Sequence, residues 1–214
     1  MLKRSDIEVM SPAGNFESLM AAIQGGTNAV YFGVGHLNMR ANSNVNFTVD
    51  DLKEIVRICK ENEVRSYLTV NTVLYDNDLP AVKNLLQEAK VAGVSAIIAS
   101  DQAALMHAFE LGHEIHLSTQ LNISNLESLK FYAHWADVVV LARELTLEQV
   151  YEIYQGIERE NITGPSGNKI KIEMFVHGAL CMAISGKCYL SLHQENISAN
   201  RGAPATAAAS IPAY

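Results

Sequence analysis

Short apolar runs alternate with longer amphipathic stretches along nearly all of the chain. "IEVMSPA" reads as a strand that stops at Pro12-Ala13-Gly14, and "FESLMAAIQGG" as a helix closed by glycine. "AVYFGV" is the second strand, and Thr48 is placed to cap the helix "VDDLKEIVRICKENE". The strand "RSYLTVNT", the helix "LPAVKNLLQEAKVAG" and the strand "VSAIIAS" follow, and Asp101 opens the helix "QAALMHAFELG". "EIHLSTQ" then precedes "NLESLKFYAHW", "ADVVVLA" precedes "TLEQVYEIYQGIE", and "KIKIEMFVH" is the seventh strand.

Seven apolar runs, most of them followed by a helix, predict parallel strands joined by helical crossovers. A unit of roughly 25 residues fits an α/β fold of the (β/α) TIM-barrel type better than a six-stranded doubly wound sheet. No GxGxxG follows the first strand, which removes the main sign of a dinucleotide fold. No eighth strand is readable after residue 191, and "NRGAPATAAASIPAY" is Ala/Pro-rich without hydrophobic periodicity. The expectation is an incomplete barrel of seven strands over residues 1–203. Residues 204–214 are expected to form an irregular tail, truncated or non-native.

Composition narrows the class. The 214 residues are 49% hydrophobic and 18% charged, which suits one domain with a substantial core. No apolar run reaches the roughly 20 residues that span a bilayer, and the N-terminus lacks the apolar stretch of a secretory signal. Three cysteines, an odd number, fit a reducing compartment, so a cytoplasmic protein without a membrane partner is expected. The net charge of −7 argues against a generally basic nucleic-acid-binding surface and leaves room for a local basic groove.

In such a barrel the chemistry sits where strands end and loops begin. Polar residues collect at those places: Ser11 and Asn15, then Asn38, Arg40 and Asn42, then Asn71, and Ser100-Asp101. Ser118, Gln120 and Asn122 follow the fifth run, Arg143-Glu144 the sixth, and His177 the seventh. Each has an ordinary structural reading. Asp101 and Asn125 suit helix caps, Gln120 and Asn122 suit loop backbone partners, Arg143-Glu144 suits a local ion pair, and His116 lies within its strand as a core or flank residue. As a set, Asn71, Gln120, Asn122, Arg143, Glu144 and His177 outline a substrate pocket for a polar or anionic organic molecule. No GxSxG elbow or HExxH helix is present. Cys59 falls at helical spacing with Leu52, Ile55 and Val56 and reads as core.

Cys181 and Cys188 lie just beyond the seventh strand in a glycine-bearing segment. Their spacing is wider than a tight zinc pair. They read either as two small buried thiols or as metal-ligating thiolates spaced through a loop. The stretch "EMFVHGALCMAISGKCYLS" resembles the signature of the U32 peptidase family, the collagenase-like proteases. Glu173, Phe175, Gly178, Ala179, Cys181, Gly186, Cys188 and Ser191 match it. "SPAGNFESLMAAIQGGTNAVYFG", "NFT", "LTVNTVLYDNDL", "IHLSTQLNISN" and "LARELTLEQV" are also similar to that family.

The resemblance implies one of two activities: a peptidase, or hydroxylation of a tRNA uridine, an rRNA cytidine or a ubiquinone precursor. It implies a [4Fe–4S] cluster with Cys181 and Cys188 as metal ligands, prephenate or a similar small anionic metabolite as co-substrate, and RNA (tRNA) or a peptide as substrate. In the tRNA-hydroxylation type, two further cysteines follow "NRG"; here those positions are Pro204 and Ala208. The cluster is therefore expected to be incomplete in this chain. The favoured expectation is a fragment of a tRNA uridine hydroxylation enzyme; the alternatives are a peptidase and a non-enzymatic binding scaffold.

Overall fold

Among the described residues, seven strands form one sheet in chain order, with every neighbouring pair parallel. They are β1 (Met10–Pro12), β2 (Ala29–Gly33), β3 (Arg65–Val70), β4 (Ala96–Ala99), β5 (Ile115–Leu117), β6 (Val138–Val140) and β7 (Lys171–Glu173). Helices α1 (Phe16–Gln24), α2 (Leu52–Glu61), α3 (Leu79–Ala92), α4 (Gln102–Glu110), α5 (Leu126–Ala133) and α6 (Leu147–Glu160) return the chain between successive strands. Parallel neighbours require such crossovers. The computed structural model describes residues 6–38, 47–178, 184–185 and 193. Within them the expected incomplete (β/α) barrel is present through β7. The proposed tail, 204–214, lies outside the described residues, as do Arg40, Asn42, Cys181 and Cys188.

Alternate residues of a strand face opposite sides of the sheet. One parity carries Val30, Phe32, Leu68, Val70, Ile97, Ile115, Leu117 and Val139, which pack with Leu19, Ile55, Leu86, Leu105, Leu129 and Ile157 of the helices in the main core. Cys59 of α2 belongs to this core. The other parity carries Ala29, Tyr67, Ala96 and Ile98, a smaller cluster joined by Met10 and Tyr31.

Local signals set the helix ends. Asn15 accepts the Ser18 amide at 2.7 Å while the Ser18 hydroxyl accepts the Asn15 amide at 3.1 Å, a capping box that starts α1. Asn125 caps α5 by accepting the Ser128 amide at 2.8 Å, and Thr146 with Gln149 makes a second capping box on α6. Gly93 closes α3 at φ 80°, in the left-handed region that favours glycine.

Two boundaries differ from the sequence expectation. The α2 helix begins at Leu52 after Asp51, and the Asp51 carboxylate turns back to accept both the Thr48 amide and the Thr48 hydroxyl at 2.7 Å. The Thr48–Asp51 turn thus precedes the helix instead of opening it. The seventh strand pairs only over Lys171–Glu173, so Met174 to His177, read as its continuation, lie beyond the sheet. Among the described residues no helix is long and apolar enough to cross a membrane.

Candidate functional site

Ser185 draws together the C-terminal ends of β5 and β6. Beyond β5, the Ser118 amide donates to the Ala99 carbonyl at 2.8 Å and its hydroxyl to Gln120 Oε1 at 2.6 Å. The chain then makes a single turn over Thr119–Leu121 and reaches Asn122 in the left-handed conformation, φ 52°. Asn adopts that conformation more readily than most side chains. The Asn122 Nδ2 group donates to the Gln120 carbonyl at 2.8 Å and to the Ser185 carbonyl at 3.3 Å. From the β6 side, Arg143 Nε donates to Ser185 Oγ at 3.1 Å. Ser185 is buried, Arg143 is exposed, and the buried Asn122 Oδ1 has no hydrogen-bond partner among the described residues.

Of the pocket residues expected from the sequence, Gln120, Asn122 and Arg143 are brought together through Ser185. Asn71 follows β3, two strands away, where its carbonyl accepts the Ser100 hydroxyl at 3.1 Å. Glu144 is exposed beside Arg143, and His177 is exposed beyond β7. Asp101 is a cap, accepting the Ala103 amide at 2.9 Å, and its second oxygen accepts the Leu74 amide at 3.0 Å. It therefore also fastens the segment after β3 to the start of α4. Asn15 is likewise engaged as a cap, and Asn38 donates to the Gly35 carbonyl at 3.1 Å. Chemically, the Arg143 guanidinium offers this end of the sheet a donor suited to carboxylate or phosphate. A surface groove touched by Asn125, Gln149, Glu152 and Arg159 runs between the start of α5 and α6.

A second polar set lies on the inner parity of the odd-numbered strands. Tyr67 on β3 donates its hydroxyl to Glu8 Oε1 at 2.6 Å. Arg65, also on β3, lies 3.4 Å from Glu8 Oε2 and 2.7 Å from Glu114 Oε2. His116 on β5 is 2% exposed; its Nε2 is 3.0 Å from Glu114 Oε1 and its Nδ1 is 3.7 Å from Glu173 Oε2 on β7. The longer approach is an electrostatic contact and not a hydrogen bond. The His116 ring also rests against Tyr67, centroids 4.6 Å apart.

Burial opposes a charge on His116, but Glu114 and Glu173 outweigh it, so its pKa stands above the ordinary imidazole value. Glu114 moves the other way. Its hydrogen bond to His116, against the opposing effect of burial and with help from Arg65, holds its carboxyl down at about 2. Glu8, Arg65, Tyr67 and Glu114 were not among the sequence candidates, and Glu173 entered only as a match to the family signature. The signal for them is the period-two placement of Arg65 with Tyr67, and of Glu114 with His116.

The described residues contain no group of three or more His, Cys, Asp or Glu able to hold a metal ion. Cys59 is buried in the main core, where burial pushes its thiol up to about 11. The family model for peptidase family U32 matches residues 14–207. A protein of Porphyromonas gingivalis named collagenase is 60% identical over 199 residues, covering 93% of this chain and 48% of that protein. The tRNA hydroxylation protein P1 of Bacillus subtilis is 32% identical, covering 91% of this chain and 44% of that protein. The 23S rRNA 5-hydroxycytidine C2501 synthase of Escherichia coli is 35% identical over 92% of this chain and 28% of its own length. This chain thus spans about half, or less, of the relatives it matches. Among solved structures, a U32 peptidase aligns with a TM-score of 0.60 at 13% identity, over 81% of this chain and 70% of that one. The tryptophan synthase α subunit of Legionella pneumophila aligns at 0.51 and 17% identity, over 83% and 75%, a likeness of fold alone.

Proposed function

The chain belongs to peptidase family U32, and on that premise we propose that it is the barrel portion of an RNA-hydroxylating enzyme, of the type that forms 5-hydroxyuridine in tRNA. The observation that carries this reading is the guanidinium of Arg143, anchored through Nε on Ser185 at the strand ends. An anchored guanidinium suits a small anionic co-substrate such as prephenate, and neighbouring amides suit the hydrogen-bonding edge of a base. The relatives named for tRNA and rRNA hydroxylation match nearly the whole of this barrel, which supports an RNA substrate. Cys181 and Cys188 are proposed as two of the four thiolates of a [4Fe–4S] cluster in a longer parent protein. That group supplies electron-transfer chemistry when bound.

The test is nucleoside analysis of bulk tRNA by mass spectrometry after deletion of the gene. Loss of 5-hydroxyuridine-derived nucleosides is expected, with recovery on complementation by the full-length gene but not by its Arg143→Ala variant. Unchanged nucleosides would remove the reading.

A second reading, peptide hydrolysis, draws on the 60% identical relative named collagenase. Among the described residues no serine, threonine or cysteine side chain hydrogen-bonds a histidine, so no base-activated nucleophile is assembled there. The purified chain is expected to leave denatured collagen intact. Cleavage abolished by a single substitution in this chain would put the peptidase first.

A further inference from the structure

Glu173 closes β7, and neither activity discussed above gives it a task. Register fixes its level in the sheet. Glu173 pairs with Val140 of β6, and Leu117 of β5 pairs with Val139. Ser118, the residue after Leu117, therefore stands level with Glu173, and it belongs to the strand-end site through its hydrogen bond to Gln120. On the β6 side, the Leu141 amide donates to the Glu173 carbonyl at 3.3 Å, two residues before Arg143. Glu173 thus stands at the C-terminal end of the sheet, where barrels of this kind carry their chemistry. Its carboxylate turns to the inner side, with Oε2 3.7 Å from His116 Nδ1. The Glu173 side chain is 22% exposed, whereas the imidazole behind it is buried. His116 Nε2 is held by Glu114, and Glu114 by Arg65, while Nδ1 has no hydrogen-bond partner among the described residues. Glu8 and Tyr67, the other titratable groups of this set, are bonded to each other.

We infer that Glu173 is a catalytic residue, the proton acceptor of the strand-end site, and that His116 is the positioning residue that orients its carboxylate. The order of parts is that of a reacting group held by a second group, which a third holds in turn. Only the outermost of the three, Glu173, stands at the strand ends; His116 is sealed from any substrate. The inference rests on the hydroxylation reading for the source of the proton. When a pyrimidine gains oxygen at C5, that carbon must shed its own hydrogen before the ring double bond returns. Lost as a proton, the hydrogen leaves the C–H electron pair to the ring and passes to the carboxylate, which becomes a carboxylic acid. This step moves one proton and no net electrons, so it calls on no oxidant.

Two measurements test it. In the deletion strain, the full-length gene carrying Glu173→Gln, which keeps the side chain's shape without its basic oxygen, is expected to accumulate as much protein as the wild type. It should restore less than about a tenth of the 5-hydroxyuridine-derived nucleosides, since a positioned base contributes roughly 100- to 10,000-fold in rate. Glu173→Asp, which keeps a carboxylate, is expected to restore clearly more than Glu173→Gln. The second measurement is an NMR titration of His116 in the purified chain. There Glu173→Gln is expected to lower the imidazole midpoint by about one pH unit, the scale of an opposite charge removed from close range. Wild-type nucleosides with Glu173→Gln, or equal loss with Glu173→Asp, would overturn the base role. An unmoved His116 midpoint would overturn the positioning role. If deletion of the gene itself leaves the nucleosides unchanged, the hydroxylation reading fails and takes the base role with it. The His116 midpoint reports the pairing with Glu173 whatever the reaction, so the two failures are told apart.

Discussion

His116 Nε2 faces Glu114 Oε1 at 3.0 Å on the inner side of the sheet, and this contact ties the stability of the fold to pH. His116 has a raised pKa, so its contribution is fully present below the ordinary 6.5 and is lost as pH rises through the higher folded-state value. Glu114, depressed to about 2, contributes above the ordinary 4.5 and loses that contribution as pH falls through its folded value. Urea midpoints are therefore expected to decline as the pH rises above 6.5. A His116→Gln chain should show a shallower decline, and parallel curves for the two would contradict this account.

Tyr67 is fully buried, and its hydroxyl reaches Glu8 at 2.6 Å. Tyr67→Phe keeps the ring against His116 and removes only that bond. A loss of about 1 kcal/mol in unfolding free energy is expected, because Glu8 is open enough to water to be partly resolvated. Denaturant titration at neutral pH measures it.

Gly164 and Gly156 separate two kinds of close approach. A Cβ at Gly164 would meet the Ala136 carbonyl at 2.7 Å and the Asp137 Cα at 2.9 Å, backbone atoms that cannot step aside. A Cβ at Gly156 would meet the Leu126 methyls at 2.6 and 2.8 Å, the movable end of a side chain. Gly164→Ala is expected to cost roughly 1–3 kcal/mol. Gly156→Ala is expected to cost less, since alanine also favours the helical backbone of α6. Thermal unfolding of the two variants side by side decides the order.

Asp101 spends one oxygen on the Ala103 amide and the other on Leu74. Asp101→Ala is expected to destabilise the fold by about 1–2 kcal/mol. Asp101→Asn should fall between, since it keeps one acceptor oxygen where two are used. Equal stability of all three chains in urea would show that the α4 cap and its tie to Leu74 carry no weight.

The fold was readable because each apolar run is short and each following stretch has a helical period, so β1 to β7 and their order followed directly. Asp101 and Asn125 were equally plain as caps, with a short polar side chain just before an amphipathic stretch. The inner polar set was harder. Strands of a parallel sheet are expected to be apolar on both faces, and "EIHLS" was read as one run although Glu114 and His116 share a parity. Ser185 escaped for another reason. It lies inside the cysteine motif, where its neighbours drew the attention, and its partners are 42 and 63 residues away. Thr48 was displaced by local competition, because the Asp51 carboxylate takes its amide and hydroxyl in a turn of its own.

A sheet whose strands pair in chain order has the layout of a repeat array, in which each strand–helix unit touches little beyond its neighbours. Such arrays lose units from an end one at a time. The inner contacts run differently. Glu8–Tyr67 joins the entry to β1 with β3, Arg65–Glu114 joins β3 with the entry to β5, and His116–Glu173 joins β5 with β7, each passing over an even-numbered strand. Releasing an odd-numbered strand therefore disturbs a polar partner two strands away. These skipped-strand ties favour all-or-none melting over fraying, and they make the cooperativity of this domain a property of its charged interior as much as of its oily shell.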